Sequence, residues 1–268
     1  MKEENKISVV INTYNAAQHL EAVLKSLKEF DEIVVCDMES TDNTVEIAKR
    51  YGCKVVTFPK ANHKSAEPAR TFAIQSAANK WVLVVDADEI ITPELRNYLY
   101  RIINEPDCPA GLYLARRNTV LGMFCRDWSH DYQLRFFLRE GTVWPPYVHT
   151  FPEVPGRTER APAKYKMLHL ADETTRQWIS KMNEYTDNEV DKKMNRNYGV
   201  GALLWRPLWR FFTSYVLKGG FLNGTRGFLQ ALQWAMYQQV LVSKIIEKRL
   251  REKRENPSHT DLPDPYKL

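Results

Sequence analysis

Three carboxylates follow directly after an apolar run near residue 86. The run, Trp81-Val-Leu-Val-Val85, is typical of a short strand that is buried on both faces of a sheet. It ends in Asp86, Asp88 and Glu89, and carboxylates are costly to bury unless another charge or a metal ion compensates them. Because Asp86 and Asp88 flank one small alanine, both can point at the same hard cation, and oxygen ligands suit Mg²⁺ or Mn²⁺. The alternative is a strand end followed by a solvated turn.

Polar residues also follow the ends of two earlier predicted strands. Apolar runs predict these strands and a third one at residues 7–13, 32–37 and 54–58. Segments with helical spacing lie between them, and strands that alternate with helices are typical of a doubly wound parallel sheet. In such a sheet all carboxyl ends of the strands lie at one edge. We therefore expect the acids after Val85 to converge with four more residues, which are Thr13, Tyr14, Asn15 and Asp37.

The pattern of the chain changes after Gly111. Two segments, 112–117 and 132–139, alternate like strands, and no long helical segment separates them. The second half of the sheet should therefore be mixed, with antiparallel pairs. From Thr174 onwards the pattern is helical. We expect three parts, an α/β domain, a helical basic region and a flexible tail, at residues 1–172, 173–255 and 256–268.

Charge is distributed unevenly along the 268-residue chain. The net charge is +5, yet residues 196–254 hold eleven lysines and arginines against two glutamates, a local balance of +9 that leaves −4 for the rest. A basic end beside a slightly acidic body indicates that one part of the molecule faces an anionic surface. Nucleic acid is not the expected partner, because the remaining surface is acidic and the sequence has no recognition motif for it.

The segment at residues 204–218 combines Trp, Phe and Tyr with arginine, which suits a helix in the headgroup layer of a membrane. The alternatives are a helical subdomain whose aromatic residues pack on the α/β core, and a dimer face. Residues 227–243 lack formal charge but hold four glutamines, which argues against a membrane span. The N-terminus shows no signal segment, and the four cysteines show no paired spacing. We therefore expect a cytoplasmic protein that is peripheral at the inner face of the plasma membrane.

Taken together, these motifs resemble glycosyltransferase family 2, whose members have the GT-A fold. The resemblance rests on residues 9–15, 33–37, 40–44, 69–70 and 81–89. Later segments are similar to the subgroup near the lipopolysaccharide-core glycosyltransferases, at residues 133–137, 148–149 and 219–227. The resemblance covers nearly the whole chain. It implies an α/β fold with a Rossmann-like mixed sheet whose N-terminal half is parallel, followed by a helical C-terminal extension.

The resemblance also implies roles for the residues at the edge of the sheet. Four of them would bind the nucleoside of a nucleotide-sugar donor, expected to be a UDP-sugar: Thr13, Tyr14, Asn15 and Asp37. Arg70 would approach the diphosphate, and Asp88, with Asp86 beside it, would hold Mg²⁺ or Mn²⁺ against the departing nucleoside diphosphate. The chain departs from the family pattern at Met38, where many members carry a second acid, and at Thr150, where the subgroup commonly has glutamate after the histidine.

An inverting transfer needs a base that removes the proton from the attacking hydroxyl of the acceptor. Asp131 is the leading candidate, because it opens the first strand after the pattern changes, and Glu153 and Glu89 are the alternatives. His149 could be a third metal ligand, a contact to the acceptor or a structural histidine. The expected acceptor is a glycan or glycolipid, such as a lipopolysaccharide core or another cell-envelope glycan. The sequence does not decide whether the protein forms a homo-oligomer.

The sequence is also compatible with two other functions. A nucleotidyltransferase has a similar sheet and metal carboxylates, but it usually carries a Gly- and Lys-rich phosphate loop after the first strand, and residues 15–18 do not resemble one. A non-catalytic, membrane-associated sugar-binding module would rely on the basic helices. Such a module would have no need to keep Arg70, Asp86 and Asp88 intact.

Overall fold

The computed structural model describes residues 5–63, 66–124, 126, 131–146, 150–170, 174–196 and 198–255. For residues 253–255 it describes the backbone alone. The metal candidate His149 and the predicted tail at 256–268 lie outside these residues. By compactness the chain forms two units, Met1–Phe124 with His130–Ala171, and Cys125–Ser129 with Asp172–Leu268. The three-part division drawn from the sequence stays a prediction.

The first unit, which we call the α/β unit, contains one ten-stranded sheet over the described residues. Its strands are β1 (Ile7–Thr13), β2 (Glu32–Asp37), β3 (Lys54–Thr57), β4 (Trp81–Asp86), β5 (Glu89–Ile91), β6 (Gly111–Val120), β7 (Met123–Phe124), β8 (Asp131–Leu138), β9 (Thr158–Arg160) and β10 (Lys166–His169). Its helices are α1 (Ala17–Leu27), α2 (Thr44–Arg50), α3 (Glu67–Gln75) and α4 (Pro93–Ile102). Across the sheet the order is β3-β2-β1-β4-β8-β6-β10-β5, and β7 and β9 also pair with β6.

The sheet is parallel in its first half and mixed in its second. β1 pairs in parallel with β2 and β4, and β3 pairs in parallel with β2. β8 is antiparallel to both β4 and β6, so the sheet becomes mixed where the sequence pattern changes, and this prediction is confirmed. The parallel register places Thr13 beside Asp37 and Asn12 beside Asp86. The polar residues at these strand ends therefore share one edge of the sheet.

The core of the α/β unit lies on both faces of β1, in which all seven residues are buried. On one face, α1 contributes four apolar residues spaced as a single helical stripe, Leu20, Val23, Leu24 and Leu27. On the other face, α3 contributes the small residues Ala69 and Ala73, which let its backbone lie close to the sheet. Each large apolar side chain that is fully buried contributes roughly 1.5–3 kcal/mol. This packing fixes the strand ends that carry the polar residues.

The short strands β9 and β10 are among those absent from the sequence prediction. With three and four residues they are too short to show a clear alternation of polar and apolar side chains. Both pair with β6, and β10 also pairs with β5. Pairing with strands that are distant in sequence therefore forms them, and the last residue of β10 is His169.

The second unit, which we call the helical unit, contains α5 (Thr175–Lys193), α6 (Val200–Phe212) and α7 (Gly224–Glu255). A π-helical turn at Thr213–Leu217 extends α6, and a 3₁₀ turn at Gly220–Asn223 leads into α7. A small apolar core holds the unit together and is formed by Val190, Tyr198, Leu241, Val242 and Ile245. Among the helices in the described part of the chain, we find none with both the length and the hydrophobicity to cross a membrane.

The glycines of residues 219–227 permit a close contact between two backbone segments. A Cβ atom on Gly227 would lie 1.8 Å from the carbonyl oxygen of Gly220, a distance that no side chain can occupy. Gly219 also has a φ of 77°, in the left-handed region that favours glycine. This glycine-rich motif therefore fixes the turn between α6 and α7.

Candidate active site

The nucleoside-binding candidates meet at the ends of β1 and β2. The hydroxyl of Thr13 donates to Asp37 Oδ1 at 2.9 Å, and the hydroxyl of Ser40 donates to the same oxygen at 2.6 Å. The backbone N–H of Ser40 donates to Asp37 Oδ2 at 2.9 Å. Asn15, with a φ of 50°, receives a hydrogen bond on Oδ1 from the N–H of Thr41 at 2.8 Å. Both oxygens of Asp37 thus hold the loop that follows β2.

Tyr14 stands apart from this group because its side chain is 49% exposed. The ammonium group of Lys60 lies 4.9 Å from the centre of its ring. Thr13 and Asp37 are buried, in contrast. The exposed ring of Tyr14, like the exposed Asn15 next to it, is therefore accessible to a ligand at this edge.

Asp86 lies between two arginines. Nη2 of Arg70 donates to Oδ1 of Asp86 at 2.9 Å, and Arg135 donates to both carboxylate oxygens, with Nη1 at 3.4 Å from Oδ1. Both guanidinium groups also lie over the ring of Trp144, at 4.4 Å and 5.9 Å from its centre. Burial alone would raise the pKa of Asp86, but the charges of Arg135 and Arg70 outweigh burial and hold this pKa well below its usual range. Asp86 is therefore ionised, and both of its oxygens are engaged.

A β-bulge directs Arg135 towards Asp86. In the β6–β8 pair, Leu112 lies opposite Phe136 and Tyr113 lies opposite Leu134, so Arg135 is the extra residue on β8. Its guanidinium is buried, and the charges of Asp86 and Glu89 raise its pKa against the opposing effect of burial. The sequence pattern predicts no role for Arg135, although the residue lies within the motif at 133–137.

Glu89 is fully buried, and both of its carboxylate oxygens accept hydrogen bonds. Oε2 accepts the backbone N–H of Asp86 at 2.9 Å. Oε1 accepts Nη1 of Arg116 at 3.2 Å and Nη2 of Arg135 at 3.5 Å. A carboxylate with no exposed surface cannot contact an acceptor hydroxyl, so this alternative for the base is less suited than Asp131.

Arg116 joins Glu89 to Asp131, the leading candidate for the base. Nε and Nη2 of Arg116 lie 2.8 and 2.7 Å from Oδ2 of Asp131. Gln133 donates to Oδ1 of Asp131 at 2.8 Å. Burial would raise the pKa of Asp131, but Arg116 and the hydrogen bond from Gln133 outweigh burial and lower it. About one third of the Asp131 side chain stays exposed (34%), so an acceptor can reach it.

Asp88 is paired with His169, a residue that the sequence analysis did not select. Nε2 of His169 lies 3.3 Å from Oδ2 of Asp88, and the N–H of Leu170 donates to the backbone oxygen of Asp88 at 2.8 Å. The Asp88 side chain is 38% exposed, more than that of Asp86. Burial would raise the pKa of Asp88, but the hydrogen bond and the charge of a protonated His169 outweigh burial and lower it. This pair is the most accessible oxygen and nitrogen donor set at the edge.

These residues fit a divalent cation that is shared with a substrate. Among the described residues no three His, Cys, Asp or Glu side chains form a complete metal cluster. Mg²⁺ and related ions, however, are commonly held by one or two protein ligands together with substrate phosphates and water. The four carboxylates of the network face three arginines, a balance of −1 when His169 is neutral. An oxygen and an imidazole nitrogen at an acidic edge are therefore suitable ligands for Mg²⁺ or Mn²⁺.

The structure brings most of the predicted residues together and leaves Glu153 aside. Glu153 is exposed, and its backbone, not its side chain, pairs with Val143. His149 lies outside the described residues. The residues that the sequence analysis missed are Arg116, Asn118, Arg135 and His169. Their signal in the sequence is weak, because each reaches the site through strand pairing and not through a local motif.

Comparison with known proteins identifies the family. The model of the family described as Glycosyl transferase family 2 matches residues 8–151, more than half of the chain. The chain belongs to glycosyl transferase family 2. The resemblance inferred from the motifs is therefore confirmed, and the protein is a family 2 glycosyltransferase.

Two relatives of this glycosyltransferase match it over nearly its whole length. An uncharacterized glycosyltransferase of Rickettsia conorii is 26% identical over 272 residues, which cover 92% of each chain. The lipopolysaccharide core biosynthesis glycosyltransferase LpsC of Rhizobium meliloti is 24% identical over 268 residues, which cover 93% of this chain and 95% of that protein.

A solved structure confirms the fold of this glycosyltransferase. The mannosyltransferase PcManGT from Pyrobaculum calidifontis, in complex with GDP-Man and Mn²⁺, matches with a TM-score of 0.55 and 14% identity, over 92% of this chain and 89% of that one. The predicted fold class, a GT-A mixed sheet with a helical C-terminal extension, is thus confirmed.

Proposed function

We propose that this glycosyltransferase transfers a sugar, with inversion, from a nucleotide-sugar donor to a glycan or glycolipid acceptor of the cell envelope. The observation that carries the proposal is the network of ion pairs and hydrogen bonds at one sheet edge, which contains both Asp88 and Asp131 and leaves both partly exposed. The name of the Rhizobium relative, which refers to lipopolysaccharide core biosynthesis, supports an envelope acceptor. The expected donor is a UDP-sugar, and the expected metal is Mg²⁺ or Mn²⁺.

The donor would lie along the ends of β1, β2 and β4. The exposed ring of Tyr14 and the loop held by Asp37 would receive the nucleoside. Arg70 and Arg135 would face the diphosphate, since Nε of each is buried without a hydrogen-bond partner among the described residues. Unpaired buried donors of this kind are satisfied when an anion binds beside them.

Asp88 and His169 would hold the metal ion. When bound, the ion stabilises the negative charge that develops on the departing nucleoside diphosphate. The arginine pair on Asp86 keeps that carboxylate ionised, so it adds negative charge next to the metal ligands. Asp86 would therefore act as a neighbouring charge, and Asp88 as the direct ligand.

Asp131 would remove the proton from the acceptor hydroxyl. Its low pKa keeps it ionised at neutral pH, and Arg116 and Gln133 fix its orientation. An ionised carboxylate with a low pKa is a weak base, so the proton would leave the hydroxyl as the bond to the sugar forms. Inversion follows because the hydroxyl attacks from the face opposite to the departing diphosphate.

Metal-dependent binding of UDP provides the first test of this proposal. Asp88→Asn should abolish Mn²⁺-dependent binding of UDP in calorimetry while the protein stays folded, because Asp88 lies at the edge of the sheet. The matched control is Asp107→Asn, at an exposed acid away from the network, which should bind UDP as the unchanged protein does. Unchanged Mn²⁺-dependent affinity in Asp88→Asn would exclude Asp88 as a ligand.

The reaction products separate transfer from the two alternatives. Purified protein is incubated with Mn²⁺ and either a panel of nucleotide sugars or a nucleoside triphosphate together with a sugar phosphate, and the products are measured. A glycosyltransferase releases nucleoside diphosphate, whereas a nucleotidyltransferase consumes nucleoside triphosphate and releases pyrophosphate. A sugar-binding module would bind a ligand without releasing either product.

We also propose that the helical unit attaches the enzyme to an anionic membrane surface. Every exposed residue between Val200 and Leu217 is apolar or glycine. We call the exposed side of α6 the apolar face, and its residues are Val200, Leu204, Trp205, Leu208, Trp209 and Phe212. At 1.5 Å per residue this face and the following turn extend over about 25 Å.

The charges around the apolar face favour lipid over a protein partner. Arg206 and Arg210 point away from it, since they lie over the rings of Tyr198 and Trp234. The rings of Trp205 and Trp209 stack with their centres 5.6 Å apart and remain on the apolar face. The balance of +9 in residues 196–254 would be attracted to anionic headgroups, where each basic residue contributes about 1 kcal/mol. A helix with an uncharged outer face in a basic region is suited to the membrane interface.

Vesicle sedimentation tests the membrane proposal. The protein should pellet with anionic vesicles and less with neutral ones, and salt should release part of it because charges are screened within about 10 Å at 0.1 M. A variant with Trp205→Gln and Trp209→Gln should stay in solution, whereas Leu250→Gln, at another exposed apolar residue, should still pellet. If the tryptophan variant no longer formed a dimer but still bound vesicles, the apolar face would be a dimer interface.

A further inference from the structure

Asn118 joins the metal candidates to the candidate base through one side-chain amide. Nδ2 of Asn118 donates to Oδ2 of Asp131 at 3.3 Å, and Oδ1 lies 2.9 Å from Nδ1 of His169. Asn118 lies directly opposite His169 in the parallel register of β6 and β10. The adjacent residue, Thr119, donates its hydroxyl to the backbone oxygen of His169 at 3.1 Å. The two strands therefore hold this asparagine and this histidine at a fixed separation.

The ionised carboxylate of Asp131 sets the direction of these hydrogen bonds. An ionised carboxylate can only accept, so the NH₂ group of Asn118 must face Asp131. The amide oxygen then faces Nδ1 of His169, and this oxygen can only accept as well. Nδ1 must therefore carry a hydrogen. Nε2 faces Asp88 at 3.3 Å, so the ring carries a hydrogen on Nε2 as well while it donates to this carboxylate. A cation that displaces that hydrogen takes the lone pair of Nε2, and Nδ1 keeps its own hydrogen.

We propose that Asn118 is a positioning residue that keeps a hydrogen of His169 on Nδ1 and fixes the ring orientation, so that Nε2 is the nitrogen whose lone pair a cation beside Asp88 receives. This inference rests on the proposed metal-dependent function, because it concerns the residues that would hold the ion. Partners of this kind on the far nitrogen of a histidine ligand typically change metal affinity by about 10–100-fold when they are removed. The same amide orients Asp131, so one side chain organises both halves of the site.

Three substitutions separate this role from a merely structural one. Asn118→Leu removes both hydrogen bonds. Asn118→Asp keeps an oxygen for Nδ1–H of His169 but loses the donor to Asp131. Thr119→Val is the matched control, because it changes the next residue of β6 and loses a hydrogen bond to the backbone of His169, not to its ring. Circular dichroism checks folding, and Asn118→Ser, whose side chain is too short to reach both partners, replaces Asn118→Leu if that variant is unfolded.

Two measurements report on His169 without relying on transfer activity. Long-range ¹H–¹⁵N correlation of the metal-free protein, labelled at histidine and recorded over a pH series, distinguishes the doubly protonated ring from the two neutral tautomers, and a His169→Gln variant assigns the signal. Electron paramagnetic resonance of free Mn²⁺ in the presence of UDP gives the metal affinity. We expect Asn118→Leu to lose the single Nδ1–H tautomer and to bind Mn²⁺ about 10–100-fold more weakly. Asn118→Asp and Thr119→Val should keep both properties.

The possible results show whether the inference or the proposed function is wrong. A single Nδ1–H tautomer and unchanged Mn²⁺ affinity in Asn118→Leu would overturn the inference. Equal losses in Asn118→Leu and Asn118→Asp would also overturn it, because the second variant keeps the acceptor. If the unchanged protein bound no Mn²⁺ in the presence of UDP, the metal part of the proposed function would fail. The tautomer measurement on the metal-free protein would still decide the role of Asn118.

Discussion

Replacing Arg135 with methionine should destabilise the α/β unit by about 3 kcal/mol. The guanidinium compensates Asp86 and the fully buried Glu89, and its own side chain is only 5% exposed. Removing one partner from a buried ion pair costs roughly 3–5 kcal/mol, because the remaining charge is left uncompensated. We expect the low end of that range. Glu89 keeps Arg116 and the N–H of Asp86 as partners, and Asp86 keeps Arg70.

Native-state hydrogen exchange measures this loss within the sheet alone. Amides of β1 and β4, which exchange only when the sheet opens, should lose about 3 kcal/mol of protection in Arg135→Met. The control is Arg157→Met, which breaks an exposed pair with Glu159 and should cost about 0–1 kcal/mol. A loss below about 1 kcal/mol for Arg135→Met, or an equal loss in both variants, would refute the assignment of Arg135 as the main counter-charge of the buried acids.

Three further outcomes are expected. Asp131→Asn should reduce the transfer rate by roughly 10²–10⁴-fold and leave donor binding intact, and a loss seen only in Glu153→Gln would move the base to Glu153. Because the pKa of Asp131 is lowered, it stays ionised as the pH falls. With saturating Mn²⁺, which keeps His169 deprotonated as a ligand, the acid limb of kcat/KM should therefore lie below about pH 4, and a limb at about pH 6–7 under these conditions would contradict Asp131 as the base. Thr174→Ala should cost about 1 kcal/mol in exchange protection of α5, since it removes the capping box with Gln177, whereas Thr174→Ser should cost much less.

The parallel half of the sheet could be predicted because its signals are local. β2 spans the predicted residues 32–37, since an apolar run between a helix and a capping segment fixes both of its ends. The acids after β4 could be found for the same reason, because charge directly after a buried strand is unusual in any core. Their partners could not be found in this way. His169 ends a four-residue strand that forms only by pairing with β6 and β5.

Arg135 shows a second limit of sequence patterns. An alternating strand predicts that residues 133 and 135 share a face, but the bulge shifts the register at this point and changes the direction of the side chain. A charged residue inside an otherwise apolar strand is a signal in itself, since burying it requires a partner. The partners, Asp86 and Glu89, are 49 and 46 residues away in sequence. The sequence can therefore mark Arg135 as unusual without showing what it contacts.

The separation of these partners in sequence makes the site depend on the complete sheet. Arg70 comes from α3, Arg116 from β6 and Arg135 from β8, and the acids that they compensate lie on β4, β5 and β8. Two of the pairs are 15 and 16 residues apart, Arg116 with Asp131 and Arg70 with Asp86, whereas Arg135 is 46 and 49 residues from Glu89 and Asp86. Opening β8 would remove Arg135 from Glu89 and move Asp131 away at the same time. The network therefore forms together with the pairing of β8 to β4 and β6, and substitutions that weaken this pairing should reduce metal and donor binding even when they contact neither.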